Sequence, residues 1–164
     1  MIRLAHIDDL NDIMNIIKEA QLRMKQAYMT QWQNNYPNPK VILKDILDKS
    51  LYVYVQDGLI IGTMSVFSYD VVYDNIEGTW LNQNPYMVIH RIALASSTLG
   101  QNKTKEMIDF VFNHFKTKDI RIDTHPKNTP MIKSLERQRF VYCGIVYVTT
   151  DKDALRLAYH KHII

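Results

Sequence analysis

The residues best equipped for chemistry gather in one stretch, Tyr86–Phe115, with the sequence YMVIHRIALASSTLGQNKTKEMIDFVFNHF. Met87–Leu94 is apolar and β-branched except at His90 and Arg91, which predicts a strand. Ala95–Gly100 is short and polar. Met107, Ile108, Val111, Phe112 and Phe115 then recur at three- and four-residue spacing, which predicts a helix with one buried stripe. A strand, a small-residue loop and a helix start leave backbone N–H groups unpaired, and the helix dipole favours negative charge there. The stretch reads as a cradle for the pyrophosphate of a cofactor. The same junction also occurs as a plain connection that binds nothing.

Other reactive residues lie outside it. Asp123 and His125 stand at and just beyond the end of a short alternating run, Ile120–Thr124. His160 and His162 alternate on a C-terminal run. Two histidines at that spacing lack the further ligands a metal needs, so no metal site is expected. Cys143, the one cysteine, sits in the apolar run VYCGIVYV and reads as a buried thiol rather than a nucleophile. Trp32 and Tyr36, in the turn-rich segment TQWQNNYPNPK, either plug the end of the core or line a substrate mouth.

These groups need elements to hold them. Ile2–Ala5 predicts a strand, and Asp8 or Asp9 then caps a helix with its stripe at Leu10, Ile13, Met14, Ile17, Met24 and Ala27. Asn38-Pro39 starts a second helix that buries Val41, Ile42, Ile46 and Leu47 and ends near Lys49. Leu51–Val55 and Leu59–Tyr69 predict strands joined by the tight turn Asp57-Gly58. Asp70–Pro85 has no period and carries Asp70, Asp74 and Glu77. It is either a solvated excursion or a functional loop suited to a cationic substrate. Asn128-Thr129-Pro130 opens a last helix with Met131, Ile132 and Leu135 inward. Phe140–Thr149 and Leu155–Ile163 predict a closing hairpin. The strands at Met87 and Ile120 are joined by a helix, so they should run parallel through a right-handed crossover. The expected fold is α/β (α+β): a mixed, mostly antiparallel sheet with helices on both faces, in one domain spanning residues 1–164.

The chain has 164 residues, 46% hydrophobic and 23% charged, ordinary for a globular protein with a real core. A net charge of +3 with scattered Lys and Arg argues against a nucleic-acid partner and suits, weakly, a small anionic ligand. No apolar run approaches the roughly eighteen residues needed to span a bilayer. The N-terminus has no signal-peptide pattern, and one cysteine permits no internal disulfide, so a cytoplasmic protein is expected.

The series IHRIAL, then LGQNKT opening a helix, then IRIDTHPKNTPM, then LERQRFVYCGIVYV resembles the GNAT superfamily of N-acetyltransferases. The likeness extends from the opening IRLAHIDDLNDI to the closing LRLAYHKHI. It implies a sheet of six or seven strands with acetyl-CoA as co-substrate, wedged where two central parallel strands splay apart. It places the family's phosphate loop on Leu99, Gly100, Gln101, Asn102, Lys103 and Thr104. Here Leu99 stands for a basic or amide residue, Asn102 for a glycine and Thr104 for a small residue, while Gly100 is kept. Backbone donors do not depend on side-chain identity, Asn tolerates positive φ, and Lys103 could restore the charge lost at Leu99. The resemblance implies a cofactor site that is present but weakened by about one to a few kcal/mol. It assigns the pantetheine arm to backbone groups of Ile92, Ala93 and Leu94, and to Asn128, which reads equally well as a helix cap. The family's acid, a tyrosine, falls on Leu135.

Transfer to an amine needs a base, an oxyanion donor from the splayed strand, and a proton or solvation for the thiolate. Histidine is the natural base. His125, beside Asp123, is the first choice. His90 is second, since alternation puts it on the face of Ile92 and Leu94. Tyr142 and Tyr147 are weaker acid candidates. The expected activity is N-acetylation of a primary amine of a small molecule or peptide. The alternative is a catalytically impaired GNAT-fold binding or regulatory module. An exposed edge on the C-terminal strands would suit a homodimer.

Overall fold

The computed structural model describes residues 1–164. In chain order the elements are β1 (Ile2–Leu4), α1 (Leu10–Gln26), α2 (Pro39–Leu47), β2 (Leu51–Gln56), β3 (Leu59–Phe67), β4 (Glu77–Gly78), β5 (Met87–Leu94), α3 (Lys103–Phe115), β6 (Asp119–Thr124), α4 (Thr129–Arg137), β7 (Val141–Tyr147) and β8 (Leu155–His162). All eight strands form one sheet in the order β1-β2-β3-β5-β6-β8-β7-β4, antiparallel except for β5 beside β6. The family resemblance implies six or seven strands. The eighth is the two-residue β4, too short to carry a period. It lies against Gly144 and Ile145 of β7 because Gly78 and Gly144 meet without side chains. A Cβ on Gly144 would stand 2.2 Å from the Glu77 carbonyl oxygen.

Local chemistry sets the boundaries. Asp9 accepts from the His6 amide at 2.7 Å and from Arg3, fixing the turn that leads into α1. Asn38 caps α2 by accepting from the Val41 amide, and Pro39 occupies the first turn, where its missing N–H costs nothing. The Asp57-Gly58 turn has both residues at positive φ, as a two-residue hairpin requires. α4 ends with the Arg139 and Phe140 amides donating to the Glu136 and Leu135 carbonyls, around Arg139 at φ 64°.

Helices cover both faces. α3 and α4 lie on one side, where Met107, Ile108 and Val111 are fully buried with Met64, Ile120, Ile122 and Leu135. α1 and α2 cover the other side over Leu51, Val53 and Ala93. Beyond them the 68–86 connection closes that side with Tyr73 and Trp80 packed on Val88, Val146 and Ala158. Each large apolar side chain buried in this way contributes about 1.5–3 kcal/mol. The connection is therefore not a free excursion. Asp119 accepts from Asn82 at 2.7 Å, and Arg121 lies between the Trp80 and Tyr86 rings.

Two expectations about faces and edges are corrected. Ile89, Ile92 and Leu94 all pack with the α3-side core, which strict alternation forbids. A β-bulge is the reason: Thr63 and Ser65 of β3 pair with Ala93 and His90, so Arg91 and Ile92 together oppose Met64. The phase flips there, and His90 does not share a face with Leu94. The C-terminal strands are also less open than expected, because β8 is flanked by β6 and β7, and β4 covers part of β7.

Candidate functional site

β5 and β6 pair only at Met87↔Ile120 and Val88↔Arg121. Beyond Val88 the strands part. β6 stays with β8 as far as Thr124↔Leu157, while β5 stays with β3 as far as Gly62↔Leu94. A wedge opens between Ile89–Leu94 and Ile122–Thr124. The Ala95 amide donates to Ile61, so antiparallel alternation turns the amides and carbonyls of Leu94 and Ile92 away from β3, toward the wedge. Arg91 holds the left-handed bulge position at φ 53°, usually a glycine's, at a cost of about 1–2 kcal/mol.

The loop that follows satisfies some of its amides internally. Ser96 donates to Glu19, Thr98 to Ala95, and Gln101 to Thr98. The amides of Gly100, Asn102, Lys103 and Thr104 donate to no protein group. Asn102 sits at φ 59° at the mouth of α3, the left-handed conformation that Asn tolerates better than most residues. The loop thus offers a row of main-chain donors at a positive helix end, without the glycine. Leu99 is half exposed. Lys103 does not replace its charge, because its ammonium group lies against the Tyr54 hydroxyl and Glu106, each at 3.2 Å. Arg23 of α1 does reach the loop, donating to Ser96 Oγ at 2.6 Å and to the Leu94 carbonyl at 2.9 Å, with Glu19 Oε2 3.8 Å from its Nη1.

Next to the wedge is a cleft of about 530 Å³. Trp32, Tyr36 and Phe67 line one part of it; Ile92, Asp123 and Asn128 line the part toward the wedge. Trp32 is buried in the α1–α2 core and also lines the cleft, so its two readings coexist. In the cleft wall His90 Nε2 lies 2.7 Å from Asp70 Oδ2, and its Nδ1 lies 3.7 Å from Asp123 Oδ2. The buried Tyr73 hydroxyl donates to the same Asp123 oxygen at 2.8 Å. Burial alone would raise the Asp70 carboxyl, but hydrogen bonds from His90 and the Val72 amide hold it below the usual carboxylate range. Burial pushes the Tyr73 hydroxyl well above its ordinary value, aided by Asp123, so it stays protonated.

His125, the first choice as base, is not in the cleft. It is buried, its Nε2 lies 2.7 Å from Asp153 Oδ2, and its Nδ1 accepts from the Lys127 amide. Thr30 donates to the same Asp153 oxygen, so His125 ties the segment after α1 to the β7–β8 turn. Asn128 does two things: Oδ1 accepts from the Met131 amide as a cap, and Nδ2 donates to Gln31 at the cleft wall. Leu135 is wholly buried. Tyr142 and Tyr147 are exposed on β7, away from the cleft. His160 and His162 both meet Asp119, and no group of three or more metal-binding side chains forms.

Sequence reasoning missed Arg23, Asp45, Tyr73 and Arg91 as parts of the site and treated Asp70 only as loop charge. A buried aspartate on the apolar side of α2 was the one available signal: Asp45 falls between Ile42 and Ile46, where a core residue is expected.

No protein-family model matches the chain, and no curated protein does. Solved structures do. An acetyltransferase of the GNAT family from Streptococcus agalactiae 2603 is 33% identical, over 100% of this chain and 95% of its own, with a TM-score of 0.92. A GNAT-family acetyltransferase from Listeria monocytogenes 4b F2365 superposes over 99% of this chain and 94% of its own at 19% identity and TM-score 0.73. A ribosomal-protein-alanine N-acetyltransferase from Brucella melitensis covers 99% of each chain at 15% identity and TM-score 0.68; at that identity the likeness is one of fold. No helix is long and apolar enough to cross a membrane. The parted strands, the open amides at the start of α3 and the full-length match to the streptococcal structure place the chain in the GNAT family of acetyltransferases.

Proposed function

We propose that this protein transfers an acetyl group from acetyl-CoA to a primary amine of a small molecule. The observation that carries the proposal is the wedge beyond Val88, opening beside four unpaired amides at the mouth of α3. The amides of Gly100, Asn102, Lys103 and Thr104 are donors for a diphosphate, with Arg23 as a cation anchored to the same loop. The Ile92 backbone and the Leu94 amide face the wedge as a strand edge suited to the amide-bearing pantetheine arm, while the Leu94 carbonyl is held by Arg23. Acetyl-CoA supplies the activated acyl group.

His90 is the base. Its Nε2–H donates to Asp70, which leaves the lone pair on Nδ1, with Asp123 near enough to balance the positive charge once a proton arrives. The amine nitrogen bonds to the acyl carbon as the carbon–sulfur bond breaks. The nitrogen's surplus proton is taken up at His90 and passes through solvent to the departing thiolate, which leaves as the thiol. The Ile92 amide, beyond the bulge and turned toward the wedge by the alternation from Ala95, is the donor for the developing oxyanion. Leu135 cannot donate a proton.

Cleft size and lining favour a small acceptor over a folded protein. About 530 Å³ must hold the acceptor and the reactive end of the arm together. Trp32, Tyr36 and Phe67 provide aromatic walls, and Asp70 provides negative charge for an ammonium ion. The Brucella relative's name specifies a protein alanine, and its 15% identity carries no substrate to this chain. What favours the enzyme over a binding-only module is His90, paired with Asp70 in the lining of the cleft beside the wedge.

The test is an initial-rate screen of primary amines with acetyl-CoA, read by thiol release, with product mass confirming the N-acetyl group. Turnover of small amines exceeding that of peptide N-termini is expected. Calorimetric binding of acetyl-CoA with no turnover of any amine would support the module instead, and absence of binding at millimolar acetyl-CoA would overturn both.

A further inference from the structure

We propose that Asp45 is a positioning residue: through Arg91 it holds the left-handed bulge of β5, and with it the Ile92 amide, in the geometry that acetyl transfer needs. The inference rests on the functional reading above.

Arg91 is the one residue between the base His90 and the oxyanion donor Ile92. Its φ of 53° is a conformation that glycine adopts freely and arginine does not. A strained residue persists only where its surroundings over-determine it, and those of Arg91 do. Asp45 Oδ2 accepts from Arg91 Nε at 2.8 Å and lies 2.6 Å from Nη2. Arg91 Nη1 donates to the Tyr36 hydroxyl at 2.7 Å, and the guanidinium lies over the Phe67 ring. Asp45 is 5% exposed and accepts in addition from Ser65 Oγ at 2.6 Å. Ser65 is the residue of β3 that pairs with His90. The clamp therefore joins α2, β3 and the cleft aromatics to the one backbone unit between base and donor.

A buried ion pair of this kind is a poor source of net stability, since desolvation offsets most of its attraction. Its use is to select one backbone geometry. A glycine at position 91 would form the same bulge without a clamp, but without rigidity either.

The experiment compares kcat and KM in Asp45→Asn, Arg91→Gly and Arg91→Ala, and in the double variants D45N/R91G and D45N/R91A, with melting curves for each. Asp45→Asn should lower kcat about tenfold or more, because small displacements of reacting groups are costly, while both KM values stay within a few-fold. D45N/R91G should exceed D45N/R91A in kcat by about fivefold, because only glycine keeps the left-handed bulge unaided. The double variants leave no charge buried alone, so this contrast holds even where Asp45→Asn alone fails to fold. Equal kcat for the two double variants would overturn the proposal, as would an Asp45→Asn enzyme with unchanged kcat. A loss confined to the acceptor KM would overturn it too, by making Arg91 a substrate contact. A wild-type protein without turnover would instead reject the functional reading itself.

Discussion

At the start of α3 the binding groups are main-chain amides contributed by consecutive residues. In the cleft beside His90 they are side chains from segments far apart in the chain: Asp70 before β4, His90 on β5, Asp123 on β6, Tyr36 before α2. The first region has lost most of its family side-chain pattern and kept its donors. The second has no pattern to lose, because each residue is placed by the whole fold. A main-chain site tolerates substitution as long as φ is tolerated, as Asn102 at φ 59° shows. A side-chain site depends on the individual residues that build it.

The largest expected effect separates the two histidines. His90→Gln should lower kcat by about 10²–10⁴-fold, the range of a lost general base. His125→Gln should lower the melting temperature through the lost His125–Asp153 contact and leave kcat within a few-fold. The reverse order would return the base to the end of β6.

Next comes the loop itself. S-acetylpantetheine lacks the diphosphate, so its KM should be about 10- to 100-fold above that of acetyl-CoA, the equivalent of one or two charge-assisted hydrogen bonds. Arg23→Ala should narrow that gap, and Lys103→Ala should leave it, since Lys103 is engaged with Tyr54 and Glu106.

A smaller effect concerns pH and lies away from both sites. His160 is fully buried; burial lowers its pKa, against the opposing hydrogen bond to Asp119. The unfolded chain therefore binds a proton below about pH 6.5 that the native state resists. Stability from this group is present above that pH and is lost as the pH falls toward the lower native value. Melting temperature should drop by a few degrees between pH 7 and pH 5, and His160→Gln should flatten that slope while lowering the plateau. Asp70 and Asp119, also held below the carboxylate range, extend the loss at lower pH.

The smallest effect compares two left-handed arginines. Arg139 at the end of α4 is exposed and held by main-chain bonds alone. Arg139→Gly should stabilise the protein by about 1 kcal/mol, read as a higher melting temperature. Arg91→Gly should bring no such gain, because it empties the Asp45 clamp.

These contrasts mirror what could be read from residues alone. The strand–loop–helix at Met87–Phe115, the crossover to β6 and the caps Asn38 and Asn128 are local, and period and turn chemistry reveal them. Strict alternation failed at Arg91 because a bulge is a one-residue insertion with no marker when arginine stands where glycine usually does. β4 was invisible because two residues have no period. The sequence puts His125 just beyond the strand carrying Asp123, near the expected cleft. The chain turns at His125-Pro126, and His125 points instead to a partner 28 residues on. Asp70 joined the site only because Tyr73, Trp80 and Arg121 pin down the whole connection.

The central claim is that main-chain donors at the mouth of α3 receive a diphosphate although the side-chain pattern there is altered. A titration of the ¹⁵N-labelled protein with acetyl-CoA, followed by amide resonances, tests it most directly. The account predicts saturable shifts at Gly100, Asn102, Lys103 and Thr104 that S-acetylpantetheine does not reproduce, together with shifts at Ile92 and Leu94 that it does. Unmoved resonances at all four loop amides in millimolar acetyl-CoA would contradict it.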